Sequence, residues 1–333
     1  MEFQFNLQEF EKSYEQEFDN VNKQLQKEIV FAMIGDVNSG KSSTINRLMG
    51  EEVARVGSKP GETTGIDKYV YKDKIIFADT PGLDDIKREN TEETIRYYKE
   101  ADVVLFFLNA AGTVFSDGEK ESFKKISKIN SNIIIVLNKI DAAEDIPALV
   151  KYVQDNTDYS YKVVSISSKT GENIDNLRNA ILDFLKKVNK DILFAHHSKE
   201  KTSTANKWII TAASSASAVG ASPIPGSDFL PLTAIQVGLM VKLATLYDKP
   251  LSKEKAKELI IATITGNLGK TVFRQLIKLF PGAGSIAGAG IASGMTLALG
   301  YAMKYAYENN IDIDADSITF LYESFKKGQA IKV

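Results

Sequence analysis

Near the N-terminus the hydrophobic positions fall at steps of three and four: Leu7, Phe10, Tyr14, Phe18, Val21 and Leu25, set among Glu, Gln and Lys. That spacing predicts one amphipathic helix within residues 1–28, docked on its own domain, on a second copy of the chain or on a membrane. From residue 29 the period changes. Runs rich in Val, Ile and Phe at 29–35, 74–80, 102–110, 132–139 and 162–168 are almost continuously apolar, as strands buried on both faces of a parallel sheet are. Helical patterns separate them at 41–50, 91–100, 118–129, 143–154 and 173–189, and "IDKYVYKD" (66–73) alternates as an edge strand does. The chain therefore reads as α/β, a doubly wound, mostly parallel sheet over 29–190.

Residues 196–207 form a polar break, and a linker is expected over 191–205. Beyond it, 206–333 reads as a second, all-α hydrophobic domain. Two of its stretches, 208–227 and 279–303, carry no charge. The second is long enough to span a bilayer, which takes about 20 apolar residues. Its strongly membrane-favouring residues are only Leu279, Phe280, Ile286, Ile291, Leu297 and Leu299; Gly, Ala, Ser and Thr fill the rest. Pairs such as Gly284 and Gly288, or Gly290 and Gly294, permit close helix contact in a membrane or in a water-soluble bundle. Both readings stand, with a hairpin released by nucleotide between them. Helices are expected at 231–247, with Pro231 in the first turn and Asp228 as a cap, and at 252–264, 271–280 and 315–327. The adjacent His196 and His197 read as a solvated junction pair.

Composition narrows the chemistry. The chain has 333 residues, a net charge of −2 and no cysteine. Disulfides, thiol nucleophiles and Cys-ligated zinc are excluded, and the charge gives no strong nucleic-acid signal. The acidic, interrupted N-terminus is not a secretory signal, which points to a cytoplasmic protein, peripheral at or inserted into an inner membrane.

The chemistry lies at strand ends. Gly35, Gly40, Lys41 and Ser42 match the phosphate-cradling pattern G-x-x-x-x-G-K-[ST] between a predicted strand and helix, with Asn38, Ser39 and Ser43 in the same loop. Such a loop surrounds phosphate with N–H groups and adds a helix N-terminus, the lysine reaches the terminal phosphates, and the Ser42 hydroxyl suits Mg²⁺. "DTPG" (79–82) supplies Asp79 for the metal and the Gly82 N–H for a γ-phosphate, and "GETTG" (61–65) offers Thr64, or failing it Thr63, as a further metal hydroxyl. In "NKID" (138–141) the Asp141 carboxylate matches the N1–H and N2–H donors of guanine. Asn138 braces that pocket, the Lys139 stem covers the base, and the loop from Ser167, Ser168 and Lys169 lies against the base edge. The set reads as a site for GTP or GDP with Mg²⁺.

These ordered motifs resemble the Era-type, translation-factor-related GTPases over residues 28–190. The resemblance implies GTP hydrolysis at a low intrinsic rate. Where many small GTPases place a water-orienting glutamine, this sequence has Leu83, which cannot hydrogen-bond water. Relatives with an apolar residue there use other devices. Some hold K⁺ beside the phosphates with an asparagine at the position of Asn38, the ion being completed by the first switch loop, often on homodimerisation. Asn38 is thus either a K⁺ ligand or a hydrogen bonder within its own loop. Arg88 reads as a solvated residue at a helix start, or as a group acting across a dimer. Residues 203–309, through "AVGASPIPGSDFLPLTAIQ", "LFPGAGS" and "GMTLALGYA", resemble a helical domain that follows G domains in many bacterial GTPases and occurs in some inner-membrane proteins. The expectation is a GTP-driven switch acting at a membrane. The alternatives are a ribosome- or RNA-assembly GTPase and a scaffold that binds GTP without hydrolysing it.

Overall fold

The computed structural model describes residues 6–53, 67–79, 92–220, 229–265 and 291–313. The chain divides into two compact units, one formed by residues 24–200 and the other by 1–23 together with 201–333.

The first unit is built on the apolar runs. They form β1 (Ile29–Ile34), β2 (Asp67–Tyr71), β3 (Ile75–Asp79), β4 (Val103–Asn109), β5 (Ile133–Asn138) and β6 (Lys162–Ser165). The sheet order is β2-β3-β1-β4-β5-β6, parallel throughout except for antiparallel β2 at the edge. Residues from Val103 to Leu108 and from Ile133 to Leu137 have no exposed surface, which is why these runs do not alternate. Fully burying one such side chain stabilises the fold by about 1.5–3 kcal/mol. β2 alternates as an edge strand should, with Tyr69 and Tyr71 buried and Val70 exposed. Register aligns Met33 with Asp79, and Asn109 with Asn138, so the strand ends carrying the motifs lie along one edge of the sheet.

The intervening helices are α2 (Lys41–Met49), α3 (Glu92–Glu100), α4 (Asp117–Ser127), α5 (Ile146–Asp155) and α6 (Ile174–Lys187). Local chemistry sets their starts. Ser116 caps α4 reciprocally with Glu119, and Asp145 accepts from Ala148 N at 3.0 Å, with Pro147 in the first turn of α5. α5 thus begins at 146 rather than at the expected 143. At the opposite edge of the sheet, Asp102 accepts from the backbone N–H of Val30 at 2.9 Å and is gripped by Lys190 Nζ at 2.6 and 2.7 Å.

The segment expected as a linker is largely helical. α7 (Asp191–His197) buries Ile192, Leu193, Phe194 and Ala195 completely, and Phe194 packs on Phe31 of β1 at 5.6 Å. The polar "HHSKEK" hides this: it begins at the end of α7, and the four buried residues precede it. The two histidines are half-buried, and His197 stands edge-on to Tyr71 of β2 at 6.2 Å.

The second unit contains α1 (Leu7–Leu25) up to residue 23, α8 (Thr202–Gly220), α9 (Phe229–Leu246), α10 (Lys253–Thr265) and α11 (Ile291–Glu308). Phe10, Tyr14 and Val21 of α1 are buried, and Tyr14 OH donates to Leu251 O at 2.5 Å. The heptad-like stripe of α1 therefore belongs to the helical unit, from which nearly the whole domain separates it in sequence. At the C-terminal end of α11, the Glu308 carboxylate accepts from Thr202 and Tyr247 at 2.7 Å and from Lys304 at 3.0 Å. Burial pushes the Glu308 carboxyl up, but these three donors outweigh it and hold the group below the usual carboxylate range. The expected helices at 271–280 and 315–327, residues 279–290 of the charge-free stretch, and Asp228 lie outside the described residues.

α8, α9 and α11 meet closely at Gly300. A Cβ added there would stand 2.8 and 2.9 Å from Ile209 and 3.1 Å from Leu239. Gly300→Ala should therefore destabilise the helical unit by about 1–3 kcal/mol through overpacking, less about 1 kcal/mol from better helix propensity. Thermal unfolding checks this, and a variant as stable as the parent would show that the three helices yield there.

Candidate functional site

The loop between β1 and α2 is shaped by backbone conformation. Gly35 has φ +150°, and a Cβ on it would stand 2.8 Å from Phe107 of β4. Gly40 has φ +92°, and a Cβ there would fall on the Asn138 amide. Only glycine fits both demands. The loop ends in the first turn of α2, where Thr44 N and Oγ1 both donate to Gly40 O, at 2.9 and 2.8 Å. Lys41 curls back over the loop, with Nζ 2.8 Å from Gly35 O and 3.5 Å from Asp79 Oδ1 at the end of β3. A cation, a carboxylate and the hydroxyl-bearing Ser42 thus converge on the first turn of α2, where helix polarity favours an anion.

Asn138 is fully buried and ties three segments together. Its Nδ2 donates to Ser39 O at 2.7 Å and to Ser168 Oγ at 3.1 Å, while its Oδ1 accepts from Ser168 N at 3.0 Å. Beside it, Asp141 Oδ1 accepts from Ser167 Oγ at 2.7 Å, and Oδ2 lies 3.6 Å from Lys169 Nζ. The Ser167 hydroxyl, then Asp141's own backbone N–H and then Lys169 hold the Asp141 carboxyl below the usual carboxylate range, against the upward push of burial. Lys139 is half-buried in a left-handed conformation, φ +66°, and leads into the short 3₁₀ helix Ile140–Ala142 that presents Asp141.

Of the residues expected here, Gly35, Asn38, Ser39, Gly40, Lys41, Ser42, Ser43 and Asp79 come together at one end of the sheet. Asn138, Lys139, Asp141, Ser167, Ser168 and Lys169 stand next to them, joined through Asn138. Asn38 is exposed and left-handed at φ +65°, and its side chain makes no hydrogen bond among the described residues. Thr63, Thr64, Gly82, Leu83 and Arg88 lie outside the described residues. No group of three or more acidic or histidine residues that could hold a metal occurs among the described residues.

Arg47 was not foreseen. From α2 it donates through Nε to Ser168 O at 3.0 Å and through Nη2 to Lys169 O at 2.5 Å. Its partners are more than a hundred residues away, and nothing in its spacing from Lys41 signals them.

A six-stranded, mostly parallel sheet with this loop, this lysine and this carboxylate pocket defines a P-loop GTPase domain. Residues 30–139 match the family model described as 50S ribosome-binding GTPase, and residues 191–308 match a domain of unknown function, DUF697. The chain therefore carries an Era-like GTPase domain followed by a second, DUF697 domain. Among curated proteins it is 35% identical over 193 residues to GTPase Der of Nautilia profundicola, covering 54% of this chain and 40% of that protein. It is 32% identical over 162 residues to GTPase Era of Alkaliphilus oremlandii, covering 46% and 54%. Against the tRNA modification GTPase MnmE of Chlorobaculum tepidum the identity is 33% over 165 residues, covering 47% and 34%. The chain thus spans about half, or less, of the length of these relatives. A crystal structure of Era with MgGDPNP and nucleotides 1506–1542 of 16S ribosomal RNA is similar over 48% of this chain and 57% of that one, at 26% identity and a TM-score of 0.38.

Proposed function

We propose that the protein is a guanine-nucleotide switch that hydrolyses GTP to GDP and phosphate and governs its helical unit at a membrane surface. The observation that carries the nucleotide reading is the tie through Asn138, which joins the phosphate loop at Ser39 to the Ser168 loop beside Asp141. In this reading the N–H groups from Asn38 to Ser43 receive the phosphates and Lys41 takes their terminal oxygens. Asp141 takes the N1–H and N2–H of guanine, Lys139 covers the base, and Ser167, Ser168 and Lys169 complete the base edge. Water attacks the γ-phosphorus, the bond to the bridging oxygen breaks, and GDP leaves.

Ser42 and Asp79 supply a hydroxyl and a carboxylate, hard oxygen donors of the kind Mg²⁺ takes, and we assign Thr64 to the same ion. When bound, Mg²⁺ neutralises charge on the β- and γ-phosphate oxygens. The Gly82 N–H is assigned to the γ-phosphate. With Leu83 unable to orient water, Asn38 is our candidate for K⁺. Its amide oxygen is exposed and unengaged among the described residues, as a cation ligand requires. Completion of that site by a second copy of the chain would make hydrolysis rise with protein concentration.

The membrane part rests on α8. From Trp208 to Gly220 it has no charged residue, and its exposed positions include Thr211, Ser214, Ser215 and Ala218. Thr211 Oγ1 donates to Lys207 O at 2.8 Å and Ser215 Oγ to Thr211 O at 3.1 Å, so these hydroxyls are satisfied by their own helix and do not depend on water. The association proposed is peripheral; no helix among the described residues is long and apolar enough to cross a membrane. A second reading, action on the ribosome, is favoured by the match of residues 30–139 to a family described as 50S ribosome-binding.

Two measurements on the full chain test these readings. Multiple-turnover GTP hydrolysis should be faster in K⁺ than in Na⁺, and the difference should vanish in Asn38→Ala; equal rates would remove K⁺ from the site, and no turnover would leave a GTP-binding scaffold. Anionic liposomes should pellet the protein with a non-hydrolysable GTP analogue more than with GDP. Pelleting with ribosomes and not with liposomes would replace the membrane reading by the ribosomal one.

A further inference from the structure

We infer that Arg47 is a positioning residue for guanine recognition, acting through the backbone of the Ser168–Lys169 loop; the inference rests on the base-site reading above. The planar guanidinium holds two successive carbonyls at once, Ser168 O at 3.0 Å and Lys169 O at 2.5 Å. Each carbonyl belongs to a planar trans peptide whose N–H points the opposite way. Fixing the two carbonyls toward α2 therefore turns the N–H groups of Lys169 and Thr170 away from α2.

Those two donors have different fates. Thr170 N–H donates to Ser167 Oγ at 3.0 Å, and Ser167 Oγ in turn donates to Asp141 at 2.7 Å. Ser168 N–H is taken by Asn138 Oδ1 at 3.0 Å. Lys169 N–H has no hydrogen-bond partner among the described residues. The loop thus offers one unengaged backbone donor next to one ionised carboxylate. Guanine presents the complement, two N–H donors beside the O6 acceptor, whereas adenine places an amine at position 6. Arg47 sets the direction of that donor from the helix that begins at Lys41, so the base edge is held in register with the phosphate loop. Arg47 is exposed, and its effect passes through the loop whose carbonyls it holds.

The test compares binding of GDP, 6-thio-GDP and IDP to the full chain by competition against a fluorescent guanine nucleotide. Sulfur at position 6 is a weak acceptor, and IDP lacks only the amine that Asp141 takes. Arg47→Ala should weaken GDP binding about tenfold. It should weaken 6-thio-GDP less, so the preference for oxygen at position 6 shrinks while the preference for GDP over IDP is kept. Arg47→Lys, able to reach one carbonyl only, should fall between, and it carries the comparison if the alanine variant does not fold. An equal loss for all three nucleotides, or no loss, overturns the inference. The base-site reading fails separately: the wild-type protein would then bind IDP as well as GDP, and Asp141→Asn would leave GDP affinity unchanged.

Discussion

Asp141→Asn should turn a guanine-nucleotide binder into a xanthine-nucleotide binder. The carboxylate offers two acceptor oxygens, each with more than one lone pair. Ser167 occupies one lone pair of Oδ1, and Lys169 lies 3.6 Å from Oδ2. Two donors of guanine can therefore be received together by one charged acceptor. An amide at this position keeps one acceptor and replaces the other by a donor. Facing the N2 amine, that donor repels; facing the O2 of xanthine, it pairs. GDP affinity should fall about 10²-fold or more, and XDP affinity should rise above it. Ser167 should be unmoved, since its hydroxyl can donate to the amide oxygen as it did to the carboxylate. Calorimetry with GDP and XDP checks the exchange, and unchanged GDP affinity would remove Asp141 from the base site. The pH dependence follows from the same bonds. A carboxyl held below its usual range contributes while ionised and loses its effect as pH falls through its own pKa. The preference of the wild-type protein for GDP over IDP should therefore be flat from about pH 8 to about pH 5 and collapse only below the ordinary aspartate range, about 3.9.

The sheet and the motif-bearing strand ends were legible in the sequence because burial on two faces leaves a direct mark, uninterrupted Val, Ile and Phe. The edge strand was legible for the converse reason, since only one face of β2 is covered. What stayed hidden depends on which surfaces meet. The stripe on α1 says that Phe10, Tyr14 and Val21 are buried, but not that Tyr14 donates to Leu251, 237 residues away. α7 was obscured by a polar tail that begins at its own end. Arg47 looks like any basic residue in the last turn of a helix, where it would complement the dipole; its two carbonyl partners, 121 and 122 residues on, give it a different meaning. Asn138 was legible as a member of a motif. That it is the joint between phosphate loop and base loop was not, because the motif records its identity and the fold supplies its neighbours.

That joint makes Gly40→Ala the substitution with the largest expected cost to both folding and binding. Two penalties coincide at Gly40 and can be separated by comparison with Gly171. Both glycines are left-handed, with φ +92° and +90°. At Gly171 a Cβ meets only Arg47 Nη1, at 3.9 Å, so Gly171→Ala bears backbone strain alone, about 1–2 kcal/mol. At Gly40 the added carbon would stand 2.1 Å from Asn138 Nδ2, and the Ser168 hydroxyl stands 3.2 Å away. Asn138 cannot retreat, since it is fully buried and engaged with Ser39 O, Ser168 Oγ and Ser168 N. Moving it leaves buried amide and backbone groups unpaired, at about 1–3 kcal/mol each. Gly40→Ala should thus cost about 3–5 kcal/mol in unfolding free energy and abolish measurable GDP binding, whereas Gly171→Ala should keep binding within about tenfold of the parent. Denaturant unfolding and nucleotide titration of the two variants side by side decide the matter. Equal destabilisation by both would mean that strain alone matters at Gly40 and that Asn138 is free to move, and the phosphate and base loops would then not be rigidly joined.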